Sequence, residues 1–387
     1  MLAQQLVGFD TRNPGSNELE CITFLSELLN REGFDLTVLS FDENRPSLVA
    51  SFGEGKGPAL CFAGHIDTVP LGKKEWASDP FGRDIKMGRL YGRGSSDMKS
   101  GIAAMVTAAC NFKKRLPKDN KLILIIVAGE ESGCQGSYHL AKNAGVIGRA
   151  DALIITEPTN NYPLIGHKGA LWLDISFKGK TAHGAMPHKG VNAVYKAAEA
   201  VRQLQEFTFN MEPHPYLGNP TLSVGYLHGG INVNSVPDGA NVGVDIRTVP
   251  GMSNDDCIEQ IGSLLGEGAE ITEKVNVSPL WTDPDLLWVK NVYATVAPII
   301  GEEPRPRTVA FFTDGPPLKA AYGGIPTLIL GPGDPSLAHQ TDEYCLIKEI
   351  EDATLIYEQL AEKWYNSFSV KTAEVDDPSW DITKPQL

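Results

Sequence analysis

No stretch of this chain approaches the roughly 18–20 consecutive apolar residues that a membrane-spanning helix needs. Its N-terminal segment, "MLAQQLVGFDTRNPG", lacks the basic, then apolar, then small-residue order of a secretory signal. Cysteine is sparse. The six residues (Cys21, Cys61, Cys110, Cys134, Cys257 and Cys345) show no C-x-x-C pair and no regular spacing, which argues against a disulfide framework or a thiolate metal site. Positive charge is also short, with 34 Lys and Arg against 48 Asp and Glu and a net charge of −14. That balance disfavours nucleic acid or an anionic membrane as a partner, since both select clustered cations. Internal repeats and low-complexity tracts are missing. What is left is the expectation of a soluble, cytoplasmic protein. At 387 residues it exceeds what one hydrophobic core usually serves, so two domains are expected.

The first 160 or so residues alternate between helical and strand patterns. "LECITFLSELLNREGF" has apolar residues at helical spacing and a Gly where the helix should stop. "PALCFAGHIDTVP", "KLILIIVAGEE" and "DALIITEPT" read as strands, separated by the helical "SGIAAMVTAACNFKKRL" and "SYHLAKNAGV". Such alternation implies an α/β layer with a mostly parallel sheet. After "IGHKGA" the texture changes. "LWLDISFKG", "TLSVGYLHGG" and "GANVGVDIRTVPG" alternate like half-exposed antiparallel strands, with helices in "GVNAVYKAAEAVRQLQEF" and "SNDDCIEQIGSLL". A β-α-β-β-α-β module over residues 167–276 is expected, inserted into a domain that resumes with "PDLLWVKNVYATVAPII", the strand "IPTLILGPG" and the closing helix "EIEDATLIYEQLAEKWYNS". The polar "VKTAEVDDPSWDITKPQL" reads as a loosely held tail.

The chemistry-bearing residues recur at strand ends. His65 and Asp67, in "FAGHIDTVPLG", sit where Asp67 would hold one ring nitrogen of His65 while the other binds a metal; the plain alternative is a strand-end His beside a solvated Asp. Asp97, in "LYGRGSSDMKSGIAAM", lies before a helix, where an Asp is most often an N-cap. Gly92-Arg93-Gly94 begins like a dinucleotide fingerprint, but Asp97 occupies the third Gly position and no suitable strand leads in. Glu130 and Glu131 follow the buried run Leu122–Val127. Side chains diverge there, so one carboxylate can ligate a metal while the other takes a proton; a lone Glu-Glu pair is usually a solvated loop. Glu157 in "ALIITEPTN" and His339 in "GPGDPSLAHQTDEY" also follow apolar runs. In an open parallel sheet, active sites gather at the carboxyl ends of strands. Imidazoles and carboxylates without thiolates suit zinc, cobalt or manganese in a catalytic site that keeps a water.

Six blocks, in order, carry a resemblance over nearly the whole chain: "GHIDTVP", "GRGSSDMKSG", "AGEESG", "TEPT", "GKTAHGAMPHKGVNA" and "GPGDPSLAHQTDEY". The chain resembles the acetylornithine deacetylase/succinyl-diaminopimelate desuccinylase family of the M20 metallopeptidase superfamily. The likeness implies an α/β fold: a discontinuous, mostly parallel-sheet catalytic domain (1–166 and 277–387) with an inserted α+β, ferredoxin-like lid and dimerisation domain (167–276). It implies two Zn2+ ions, with Co2+ or Mn2+ as substitutes. His65 and Glu157 would bind one and Glu131 and His339 the other, with Asp97 bridging them beside a cis peptide to Met98. Asp67 would orient His65, and Glu130 would be the general base. His183 of "TAHGAMPHKG" would enter the partner subunit's active site in a homodimer and stabilise an oxyanion; the plain reading is a surface imidazole. Asn234 and Arg247 would bind substrate, Arg247 gripping a carboxylate, although an exposed strand cation is the simpler account of it. Gly331 and Gly333 would let backbone N–H groups approach that carboxylate. His139, His167, His188, His214 and His228 are read as structural. The implied reaction removes an acetyl or similar acyl group from an N-acyl amino acid. The alternatives are an M20-type carboxypeptidase or dipeptidase, and a catalytically silent ligand-binding relative. "FFTDGPP" and "ILGPGDPSLAHQTDEY" look more like the acetylornithine deacetylases than the desuccinylases, while "GRGSSDMKSG" and "NSVPDGANVGVDIRTVPG" look like the wider family.

Overall fold

The apolar run Leu122–Val127 needs cover on both sides, and it finds it. In the computed structural model, which describes residues 1–15 and 17–369, it forms the strand Lys121–Val127 inside a six-stranded sheet. Leu122, Leu124 and Ile126 enter one apolar cluster, Ile123, Ile125 and Val127 another on the opposite face. Burial on both faces is why this strand shows no apolar–polar alternation. The sheet order is Asp35–Ser40, Pro46–Phe52, Lys121–Val127, Ala59–His65, Ala152–Ile155 and Thr327–Ile329. The last four run parallel, so their carboxyl ends share one edge. The first two pair antiparallel as an added hairpin at the other side.

The helix Lys99–Phe112 lies in the larger cluster against the long helix Ile347–Ser369. Its small residues Ala103, Ala104, Ala108 and Ala109 are all buried, which lets the two helices approach closely. Tyr357 Oη on the long helix donates to the Leu330 carbonyl (2.6 Å). This bond ties that helix to the end of the strand Thr327–Ile329. The expected tail, residues 370–387, lies outside the described residues.

Two compact units emerge. The first holds Met1–Gly166, Trp281–Arg307 and the chain from Thr313; the second holds His167–Leu280 and Thr308–Phe312. The inserted module was expected to end at residue 276; the second unit runs to Leu280. Its last strand continues to Val277, fully buried. Thr308–Phe312 joins the module because Val309 bridges to His167 and the Phe312 ring meets Trp172 edge-on.

The second unit is an antiparallel sheet in the order Thr221–Gly229, Gly239–Arg247, Ala170–Lys178 and Ala269–Val277. With its two helices this is the β-α-β-β-α-β pattern. Leu171, Leu173, Ile175 and Phe177 alternate inward from one strand to form its core with Ala193, Ala197, Ala200 and Leu204 of the helix Ala193–Glu206. Asn192 caps that helix by accepting from the N–H groups of Val194 and Tyr195, and Ser253 caps the helix Asn254–Leu265 through Asp256.

Candidate metal centre

The parallel strands deliver their acids and imidazoles to one edge. His65 ends its own strand; Glu130 and Glu131 follow the end of Lys121–Val127; Glu157 follows Ala152–Ile155. Backbone shape then turns these groups together. Asp97 lies in the turn before the helix Lys99–Phe112, and its peptide to Met98 is cis. Met98 is the N-cap residue and Asp97 makes no capping bond, so its carboxylate is left for other partners. His339 sits at φ 63°, in the left-handed region, on the loop after Thr327–Ile329.

Asp97 is the centre of the cluster. Its Oδ1 lies 3.3 Å from His65 Nε2, and its Oδ2 lies 3.3 Å from His339 Nε2. Glu157 stands on the His65 side, at 3.6 Å from Nε2. Glu131 stands on the His339 side, at 3.1 Å. Glu130 Oε2 is 3.9 Å from His65 Nε2. Among the described residues, two groups of ligand-type atoms lie mutually within 4.8 Å: His65 with Asp97 and Glu131, and His65 with Glu130 and Glu157.

Asp67 meets His65 through both its main chain and its side chain. The His65 Nδ1 hydrogen bond goes to the Asp67 backbone carbonyl (3.0 Å), while the nearer carboxylate oxygen is 3.6 Å away. Its fully buried carboxylate also accepts from the N–H groups of Glu130 and Glu131 (3.1 Å each) and from Asn13 Nδ2 (2.6 Å). Asp67 thus orients the imidazole through its main chain and the two glutamates through its side chain.

The electrostatics record an excess of buried negative charge. Burial raises Glu157 to about 8 against the pull of His65. Burial also pushes Glu130 well above the carboxylate range, and Glu131 upward with help from Asp97. For Asp97 burial works the same way, but the imidazoles of His339 and His65 beside it outweigh burial and hold its pKa low. Burial disfavours a charged His65, yet Glu157, Asp67 and Asp97 together lift it well above its usual value. Contacts with Asp97 and Glu131 raise His339 to about 10. Four carboxylates against two imidazoles, with Asp97 Oδ1 buried and accepting no hydrogen bond, is a donor set that divalent cations fit.

Sequence reasoning missed Asp314. It is fully buried, accepts from Ser137 Oγ (2.6 Å), and burial raises it to about 7. The adjoining Thr313 carbonyl accepts from Cys134 Sγ (3.4 Å), whose turn carries Glu130 and Glu131. Its sequence signal was present, an acid in "FFTDGPP" ahead of the helix Gly315–Ala321, but nothing local links it to residues 130–137.

The glycine expectation is corrected. The Gly331 N–H donates to Thr159 Oγ1 (3.1 Å) and the Gly333 N–H to Glu349 (2.9 Å), so both are engaged within the fold. A Cβ at Gly331 would come 2.3 Å from the Thr156 carbonyl oxygen; close backbone packing explains that glycine. His183, Asn234 and Arg247 belong to the second unit. His183 is exposed, and its Nδ1 accepts from the Ala185 N–H (3.1 Å), which leaves Nε2 as the protonated nitrogen. Asn234 is exposed on the neighbouring segment, where its carbonyl accepts from Gly184 (2.8 Å). Arg247 pairs with Asp245 (2.9 Å) beside a recess lined by Lys168, Thr221 and Thr308.

A sheet edge of this kind, with paired imidazoles and clustered acids, defines a metal-centred hydrolase site. The Peptidase family M20/M25/M40 pattern matches residues 61–363. The chain is 31% identical over 372 residues to an acetylornithine deacetylase of Proteus mirabilis, covering 92% of each. It is 30% identical over 377 residues to a probable succinyl-diaminopimelate desuccinylase of Staphylococcus epidermidis, covering 89% of this chain and 92% of that one. In structure it resembles an M20 family metallo-carboxypeptidase from Sulfolobus solfataricus, with a TM-score of 0.80 at 18% identity over 94% of this chain and 98% of that one. The chain belongs to peptidase family M20/M25/M40, and it is a hydrolase acting on amide bonds.

Proposed function

We propose that this chain is a dinuclear metal-dependent amidohydrolase that removes an acetyl or similar acyl group from an N-acyl amino acid. The observation that carries the reading is the Asp97 carboxylate, whose two oxygens face different imidazoles, each backed by a further glutamate. His65 and Glu157 would hold one ion and Glu131 and His339 the other, with Asp97 between them. We take the ions to be zinc, with cobalt or manganese as substitutes; when bound, they supply Lewis acidity towards water and the acyl carbonyl. The names of the two curated relatives favour acyl removal.

The remaining steps belong to the chain's own groups. Glu130, buried and lifted in pKa, takes a proton from the attacking water and passes it to the leaving amine nitrogen. His183, with Nε2–H outward, donates to the developing oxyanion from the partner subunit of a homodimer formed through the second unit. Arg247 and Asn234 grip the substrate's carboxylate and polar groups. All six cysteines are unbridged, which supports a reducing, cytoplasmic compartment.

The experiment is a panel of N-acetyl and N-succinyl amino acids and dipeptides, given to metal-reconstituted protein with a chelator control. Acyl amino acids should turn over fastest, and Glu130→Gln should lose at least about two orders of magnitude in kcat while keeping its metal. Faster hydrolysis of dipeptides would assign the chain to peptide substrates instead. Near-normal turnover by Glu130→Gln would remove it as the base.

A further inference from the structure

Loops far apart in the sequence meet at one buried carboxylate outside the ligand cluster. Glu343 is fully buried and lies on the same loop as His339. Its Oε1 accepts from the backbone N–H groups of Ser96 (2.8 Å) and Asp97 (2.9 Å). Its Oε2 accepts from the Gly94 N–H (3.1 Å) and from Arg93 Nη1 (2.7 Å). Arg93 is itself buried and also donates to the carbonyls of Gln340 (3.2 Å) and Pro70 (3.0 Å). Its guanidinium stands over the Trp76 ring, 5.1 Å from the centroid. The main chain closes the arrangement, since the Gly92 N–H donates to the Glu343 carbonyl (2.9 Å).

The two halves of the candidate centre are held by different means. His65 and Glu157 sit at or just past the ends of paired sheet strands. Asp97 and His339 stand on loops instead; the short strands Arg89–Tyr91 and Tyr344–Leu346 pair beside those loops, but that pairing ends at Tyr91 and Tyr344, before either ligand is reached. Glu343, next to that ladder, carries the tie on to the ligand: a carboxylate with four donors cannot rotate, and one of those donors is the Asp97 amide itself. The ion pair with Arg93 is a poor candidate for a purely stabilising feature, because buried pairs seldom outperform apolar side chains of similar volume.

We propose that Glu343, clamped by Arg93, is a positioning residue that sets the spacing of Asp97 and His339 and thereby governs affinity for the cation between Asp97, Glu131 and His339. The inference rests on the two-ion reading above. It separates Glu343 from a general structural role, because it makes the two ions respond unequally.

The test titrates Co2+ into chelator-stripped full-length protein by calorimetry, with visible absorption reporting ligand geometry. Wild type should take up two ions. Glu343→Gln keeps the side-chain volume but presents an NH2 group to at least one pair of donors. It should bind one ion at wild-type affinity and the other about 10- to 100-fold more weakly. If Glu343→Gln does not fold, the double variant Arg93→Gln/Glu343→Gln, which buries no unpaired charge, is held to the same criterion. A folded variant that binds both ions as wild type does, or weakens both equally, overturns the inference. A wild-type protein that binds no Co2+ overturns the metal reading itself, so the two failures are distinguishable.

Discussion

At the scale of single residues, burial decides what each titratable group does. His167 is fully buried, its Nδ1–H donates to the Lys168 carbonyl (2.8 Å), and burial lowers its pKa from 6.5 to about 4. Between those values the unfolded chain binds a proton that the folded chain refuses. Its contribution is therefore fully present above pH 6.5 and is lost as pH falls towards 4. From pH 7 to pH 5 the loss is about 2 kcal/mol. Denaturant unfolding of wild type and His167→Gln at both pH values should show the wild type losing that much more than the variant. Equal losses would mean that His167 does not titrate in this window. His167 also illustrates the limit of reading by type: the sequence assigns it a structural role, and its complete burial could not be inferred from "IGHKGA".

At the scale of elements, the site depends on how closely strand ends pack. Gly331 follows Thr327–Ile329, and a Cβ there would meet the carbonyl oxygens of Thr156 at 2.3 Å and Glu157 at 2.6 Å. Both obstacles are backbone, so neither can rotate away. Gly331→Ala should cost about 1–3 kcal/mol and weaken divalent-ion binding by moving Glu157. Gly145, whose Cβ would meet nothing within 4 Å, is the control: Gly145→Ala should leave both properties within about 0.5 kcal/mol. Unfolding midpoints and Co2+ titration of the two variants check this, and equal behaviour would rule out the packing argument. The strands and helices flanking the site were legible because long apolar runs and helical spacing are local signals. The edge strand Asp35–Ser40 was not, because a short edge strand with mixed exposure carries little pattern.

At the scale of the whole chain, the apolar clusters of the first unit share no residue with that of the second. All the candidate ligands lie in the first. Cations that bind only the folded state stabilise what holds them, and protection against hydrogen exchange can differ between parts of one chain. Adding Zn2+ to chelator-stripped protein should slow amide exchange in Lys121–Val127 and Ala59–His65. The strands Ala170–Lys178 and Gly239–Arg247 should stay near their metal-free rates. A uniform rise across both units would show that the two unfold as one.

The sequence by itself determined which residues are candidates to carry the chemistry. Acids and imidazoles that follow buried apolar runs, in blocks with a fixed order, identify the ligand candidates without any coordinates. It also marked the change from parallel to antiparallel texture, since the number of buried strand faces is written into the hydrophobic pattern. Only the tertiary structure decided what those residues do to one another. It added the Asp67 carbonyl to the groups that hold His65, engaged the Gly331 and Gly333 amides elsewhere, and brought Asp314 and Glu343 beside turns far away in the chain. The reason is physical: a hydrogen bond forms over about 3 Å of space, and positions near in space leave no mark of that nearness along the chain.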